Sequence, residues 1–120
     1  MTLLEAHQWW AWPVIVSNGV VGAWALAAHW WPVVRHRALW WCTAAAEMAI
    51  AGQVVLGVAV QSRTGIEAPQ FHVFYGFVAL ISVGLIYSYR QQMKQHVYLL
   101  YGFGGLFLMG LGIRAMLLTS

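Results

Sequence analysis

Charge is what this sequence has least of. Its 120 residues include six Lys or Arg and three Asp or Glu, 8% in all, against about 25% in a soluble domain. With 62% hydrophobic residues, the chain cannot cover a water-facing surface. A soluble globular fold is excluded, and membrane residence is expected. The net charge of +3 is small and sits mainly in loops, so it offers no surface for nucleic acid. Cysteine is nearly absent too. Cys42 stands alone, which excludes an internal disulfide and Cys-x-x-Cys redox chemistry. The start, Met1-Thr2-Leu3-Leu4-Glu5, lacks the basic stretch of a secretory leader, so the first apolar run is expected to be a permanent helix. One domain, residues 1–120, is expected.

What is present is four long apolar runs: Trp9–His29, Arg37–Val60, Phe71–Tyr89 and His96–Thr119. Each is about 20 residues, the length an α-helix needs to cross about 30 Å of hydrocarbon. Short loops force neighbouring helices to run in opposite directions. The expected fold is therefore all-α, a polytopic membrane protein built as an antiparallel four-helix bundle. Arg35, Arg37, Arg90 and Lys94 lie in the first and third loops, and Arg63 is the one basic residue of the second. The positive-inside rule then puts loops one and three in the cytoplasm and both termini outside. For a bacterial chain this means the plasma membrane.

Aromatic residues flank the runs as interfacial belts do. Trp9, Trp10 and Trp12 stand at one end. Trp30, Trp31, Trp40, Trp41, Tyr87, Tyr89, Tyr98 and Tyr101 stand at the other. Trp24 lies deeper, where it would be able to line a pocket. Small residues mark close packing, because lipid gives helices no hydrophobic reason to associate. Ala45, Ala49 and Gly52 do this in the second run, and Gly102, Gly104, Gly105, Gly110 and Gly112 in the fourth. Pro13 lacks an amide donor, so a kink or fresh helix start is expected there.

The chain reads as two weakly similar hairpins. Each begins near a histidine, His7 or His72, and returns near another, His36 or His96. Parallel repeats are related by an axis along the membrane normal. Such an axis puts His7 and His72 at equal depth, facing each other on diagonal helices. Two imidazoles so placed can ligate a haem iron, and bundle cofactors lie between facing helices. Interfacial histidines bonded to water or headgroups are the plain alternative. His29 and His96 form a second pair at the opposite end.

Two charges lie in the interior of the runs, and intramembrane charges mark function or a specific pairing. Arg114 falls near the depth of His7 and His72. Its planar fork suits a haem propionate, with Glu5, Glu67 or the carboxyl terminus as structural partners instead. Glu47 lies about halfway along the second run. It would serve as a proton carrier, hold a quinone or haem edge, or sit protonated in a hydrogen bond. Gln53 and Asn18 suit either a ligand or interhelical bonding.

The stretch Gln53-Val54-Val55-Leu56-Gly57, a short loop and a helix headed by His72 resemble one half of haem A synthase. The resemblance covers about the first three helices. It implies a four-helix bundle holding haem b, with His7 and His72 as axial ligands to the metal, Arg114 at a propionate, and Gln53 and Tyr75 supporting the ligands. This chain has Glu5-Ala6-His7-Gln8 where the family has Glu-x-x-His-Arg, and it has one bundle where the synthase has two. A complete haem A synthase is therefore not expected. The segments Glu67–Phe77 and Leu106–Met116 also look like small uncharacterised actinobacterial membrane proteins.

The sequence thus points to a haem-b-binding membrane protein serving electron transfer or as a redox subunit near the outer face. Its expected surroundings are the lipid bilayer, larger respiratory subunits or a homo-oligomer, and a quinone. The competing readings are a non-catalytic accessory subunit of a larger complex and a small proton-coupled transporter using Glu47.

Overall fold

The computed structural model of the chain describes residues 2–118. Four helices account for nearly all of them: α1 (Leu3–Trp30), α2 (Arg37–Thr64), α3 (Gln70–Tyr89) and α4 (Val97–Leu117). All four are long and apolar enough to cross a membrane. The first two are 28 residues each, about 42 Å at about 1.5 Å per residue. That exceeds about 30 Å of hydrocarbon, so in a bilayer these helices would tilt or project beyond it. The carboxyl terminus and Thr119, the last residue of the fourth apolar run, lie outside the described residues.

Local chemistry sets the helix ends. The Thr2 hydroxyl accepts a hydrogen bond from the Glu5 amide at 3.1 Å, and Glu5 places negative charge at the positive end of α1. The Thr-x-x-Glu spacing therefore starts the helix ahead of the first apolar run, and His7 lies within α1 rather than ahead of it. At the other end of α1, a short 3₁₀ turn over Pro32–Val34 follows. Arg35 closes this end by donating from Nε to the Ala28 carbonyl (2.7 Å) and from Nη2 to that of His29 (3.1 Å). These are carbonyls that the helix itself leaves unpaired. His36 caps α2, its Nδ1 accepting from the Ala38 amide at 3.0 Å. Gly65 ends α2 with φ 71°, a left-handed conformation that side chains disfavour.

Pro13 does not start a new helix. It lies inside an uninterrupted α1. Transmembrane helices tolerate proline because neighbouring groups take up the backbone positions it frees.

The closest packing is between α1 and α4, next between α1 and α2, then between α3 and α4; of these neighbouring pairs α2 and α3 touch least, and the diagonal pairs barely meet. Glycine explains the first. A Cβ on Gly105 would stand 2.7 Å from the Gly22 Cα, and one on Gly22 would stand 3.0 Å from the Gly105 carbonyl carbon. The two backbones meet because neither residue has a side chain. Hydrogen bonds tie α1 to α2. The buried Asn18 donates from Nδ2 to the Ala46 carbonyl at 3.2 Å, and Trp10 donates from Nε1 to that of Ala49 at 3.2 Å. The core runs through Val21, Ala25, Leu39, Ala46, Ile50, Leu108 and Leu111. α3 buries only Ala79 and Ile86 completely, so most of its surface faces outward.

Trp9, Trp12, Trp30, Trp31 and Trp41 are exposed, as belt residues are. Trp10 and Trp40 instead turn inward, Trp40 packing its ring against Tyr98 and Tyr101. Trp24 is not on the wall of the cavity at the His7 end. Its Nε1 donates to the Val34 carbonyl at 2.8 Å and pins the 3₁₀ turn.

Candidate functional site

The start of α1, the end of α2, the start of α3 and the end of α4 meet at one end of the molecule. The loose contact between α2 and α3 leaves a cavity of about 420 Å³ there. That lies in the range of small-molecule and cofactor sites, about 300–1,000 Å³. Its walls are mostly apolar, with Val14, Ile50, Val60, Ala79, Leu108 and Leu111 among them. His7, Gln53, His72 and Tyr75 line it together. An apolar pocket with a few converging polar groups is the usual form of a cofactor site.

The two imidazoles are the centre of this arrangement. Their ring centroids stand 5.9 Å apart with the planes at 88°. Two imidazoles bound on opposite sides of one metal, with bonds of about 2 Å, have ring centres about 6 Å apart. His72 Nδ1 lies 2.7 Å from the Ala115 carbonyl oxygen. A carbonyl can only accept, so Nδ1 carries the proton and Nε2 keeps its lone pair. Ligating histidines are commonly held in this way through their other nitrogen. Ala115 can supply the bond because it lies in the last turn of α4, where its carbonyl takes only a long bond (3.3 Å) from the Leu118 amide just past the helix.

His7 is held differently. Gln53 Nε2 donates to the His7 backbone carbonyl at 2.7 Å, which fixes the α1 backbone against α2. The ring rests over Gly57, where a Cβ would stand 3.1 Å from Cε1. His7 Nδ1 and Gln53 Oε1 are both buried, and neither makes a well-formed hydrogen bond among the described residues, although the Gln53 side chain lies within reach of the His7 ring. Buried polar atoms normally have partners. Two such atoms on one cavity wall are suited to a polar or metal-bearing guest.

Arg114 does not join them. It stands next to Ala115 and so has the expected depth, but its side chain is exposed and is absent from the cavity wall. Helix rotation decides this: α4 turns Leu111, Gly112 and Ala115 toward the cavity. Glu67, considered above as a partner for Arg114, lines the cavity from the α2–α3 loop. At the other end of the molecule His29 and His96 stack with centroids 6.4 Å apart and planes at 29°. His36 is engaged as the α2 cap and stays apart from them.

Sequence reading missed two contributors. Gly57 was visible only as part of a short motif, and its use as a seat for the His7 ring depends on how α1 lies on α2. The Ala115 carbonyl has no side-chain signal at all. Among the described residues, no three His, Cys, Asp or Glu side chains converge as a multidentate metal site would require. No protein-family model, curated protein or solved structure matches the chain.

Proposed function

We propose that this chain is an integral membrane protein of the antiparallel four-helix type that binds haem b between His7 and His72 and serves one-electron transfer near the outer face. The observation that carries the reading is the 2.7 Å contact of His72 Nδ1 with the Ala115 carbonyl oxygen. With Nδ1 bonded to Ala115, Nε2 is free for a metal, and a second imidazole stands 5.9 Å away on the same cavity. The haem supplies a reversible one-electron couple at its iron. The chain's part is to hold both imidazoles, exclude water with apolar walls, and steady His7 through Gln53 and Gly57. Tyr75 adds a polar group to the wall. Arg114 is off the cavity wall and would not anchor the haem there.

Contacts between the start of each odd-numbered helix and the end of an even-numbered one support the antiparallel order. The loop arginines support an orientation with both termini outside and the cavity near the outer surface of a bacterial plasma membrane. The half-synthase resemblance agrees with this reading, and a membrane-soluble quinone or a larger respiratory subunit would be the redox partner.

The test is the visible spectrum of protein purified from haem-replete cells. A Soret band is expected in the parent and is expected to be lost in His72→Ala and His7→Ala. A colourless parent that also fails to take up added haemin would refute the proposal.

A further inference from the structure

Four Ser and Thr hydroxyls of the described helices follow one habit. Ser17, Thr64, Ser82 and Ser88 each donate to a carbonyl of the preceding turn: Val14, Val60, Val78 and Gly84. This is how a hydroxyl is satisfied in a helix without water. Thr43 is more deeply buried than any of them, at 5% exposure, yet its Oγ1 has no partner. Across the α1–α2 interface, Asn18 is 1% exposed, and its Oδ1 is also unpartnered. Its Nδ2 is held at the Ala46 carbonyl, next to Glu47 in sequence and one turn beyond Thr43.

Glu47, next to Ala46 in sequence, is the carboxyl of this stretch of α2. Thr43 and Glu47 are four residues apart, so their Cβ atoms are neighbours at about 5–6 Å on one face of α2. Glu47 is half-buried in the middle of an apolar helix. Neither α1 nor α3 offers it a charge, since residues 8–28 and 76–86 contain no titratable side chain. From α4, Tyr101 lies within electrostatic reach of Glu47 and also of Arg90 and Tyr87 at the His29 end. Gln53 and the histidine cavity lie about 9 Å further along α2.

The chemistry of the three groups is complementary. Asn18 Oδ1 can only accept, a threonine hydroxyl can donate or accept, and a protonated carboxyl can do both. A buried water needs two to four polar partners, and these groups provide three. An ionised carboxylate here would have no cation, which is costly in a membrane. We propose that Asn18, Thr43 and Glu47 form a proton-holding site in the middle of the span, in which one bound water bridges the two unpartnered oxygens and the Glu47 carboxyl. The proton is taken from water and returned to it, and Tyr101 lies on the side facing the His29 end. This site does not depend on haem.

The test is the infrared C=O stretch of protonated carboxylic acid in purified protein, recorded from about pH 5 to about pH 9. Parent minus Glu47→Gln is expected to show a band that belongs to Glu47. The band is expected to move to higher frequency in Thr43→Val, which keeps the shape and removes the hydroxyl, and to return in Thr43→Ser. Asn18→Leu is expected to move it the same way. Circular dichroism checks the fold of each variant, and the Thr43 pair carries the test where Asn18→Leu fails to fold. A spectrum without any Glu47 acid band across the range would overturn the proposal. So would a band whose frequency ignores Thr43→Val.

Discussion

Gly105→Ala tests the core of this architecture with a single methyl group. The added Cβ would stand 2.7 Å from the Gly22 Cα, 2.9 Å from the Asn18 carbonyl oxygen and 3.0 Å from the Gly22 nitrogen. All three are backbone atoms, so no side chain can swing away. Carbon atoms settle at about 3.5–4.0 Å, so α1 and α4 must part by about 1 Å. A gap of that size forfeits about a quarter to a half of the dispersion energy of the facing atoms. Overpacking of this kind typically costs about 1–3 kcal/mol, which shifts a folding equilibrium about 5- to 150-fold. Gly110→Ala is the internal control on the same helix, since a Cβ there meets nothing within 4 Å. Removing a glycine at a compatible helical site stabilises by about 0.4–1 kcal/mol. Unfolding by SDS in mixed micelles, followed by circular dichroism, should therefore move the two midpoints in opposite directions. Equal midpoints for the two variants would refute the glycine-to-glycine contact as the determinant of α1–α4 packing.

Other expectations follow from single contacts. Gly57→Val should leave helix content intact but weaken haem uptake at least tenfold in a haemin titration, because its side chain occupies the space of the His7 ring; unchanged uptake would remove Gly57 from the site. Gln53→Leu frees the His7 backbone carbonyl and should cost about 0.6–1.7 kcal/mol, the range measured for interhelical bonds in membranes, read from the same SDS titration. Trp24→Phe removes the bond to Val34 and should lower stability by about 0.5–1.5 kcal/mol, with proteolysis in the Pro32–Val34 turn accelerated and the visible spectrum unaltered. Arg114→Gln should leave the Soret band of the parent in place, since the guanidinium is exposed and off the cavity wall; loss of pigment would show that it reaches the haem after all.

Composition and run length alone were enough to give four helices with ends near the observed ones, because about 20 apolar residues in a row have few other stable uses. The repeat of His7 and His72 at one hairpin's spacing was also legible, as was the equal depth that follows from it. Three features were not. The start of α1 moved outward because Thr2 and Glu5 cap it, a local effect that hydropathy does not register. The direction of Arg114 could not be read, since a residue's depth follows from its position along a helix but its facing depends on how that helix is rotated. The role of Thr43 was invisible, because a hydroxyl looks the same in sequence whether it bonds to its own helix or waits for a partner.

By itself, then, the sequence determined the number of membrane-length helices and the position of each polar residue along them. These depend on the transfer of each run from water to lipid, which is a sum over residues. Tertiary structure decided which polar residues meet. The approach of Gly22 to Gly105 sets how α1 lies against α4, and the weak contact of α2 with α3 leaves the cavity between them. From those two packing choices follow the 5.9 Å histidine pair, the Ala115 bond that frees His72 Nε2, and the unpartnered oxygens beside Glu47. Close packing acts between residues far apart in the chain, and so no run of residues contains it.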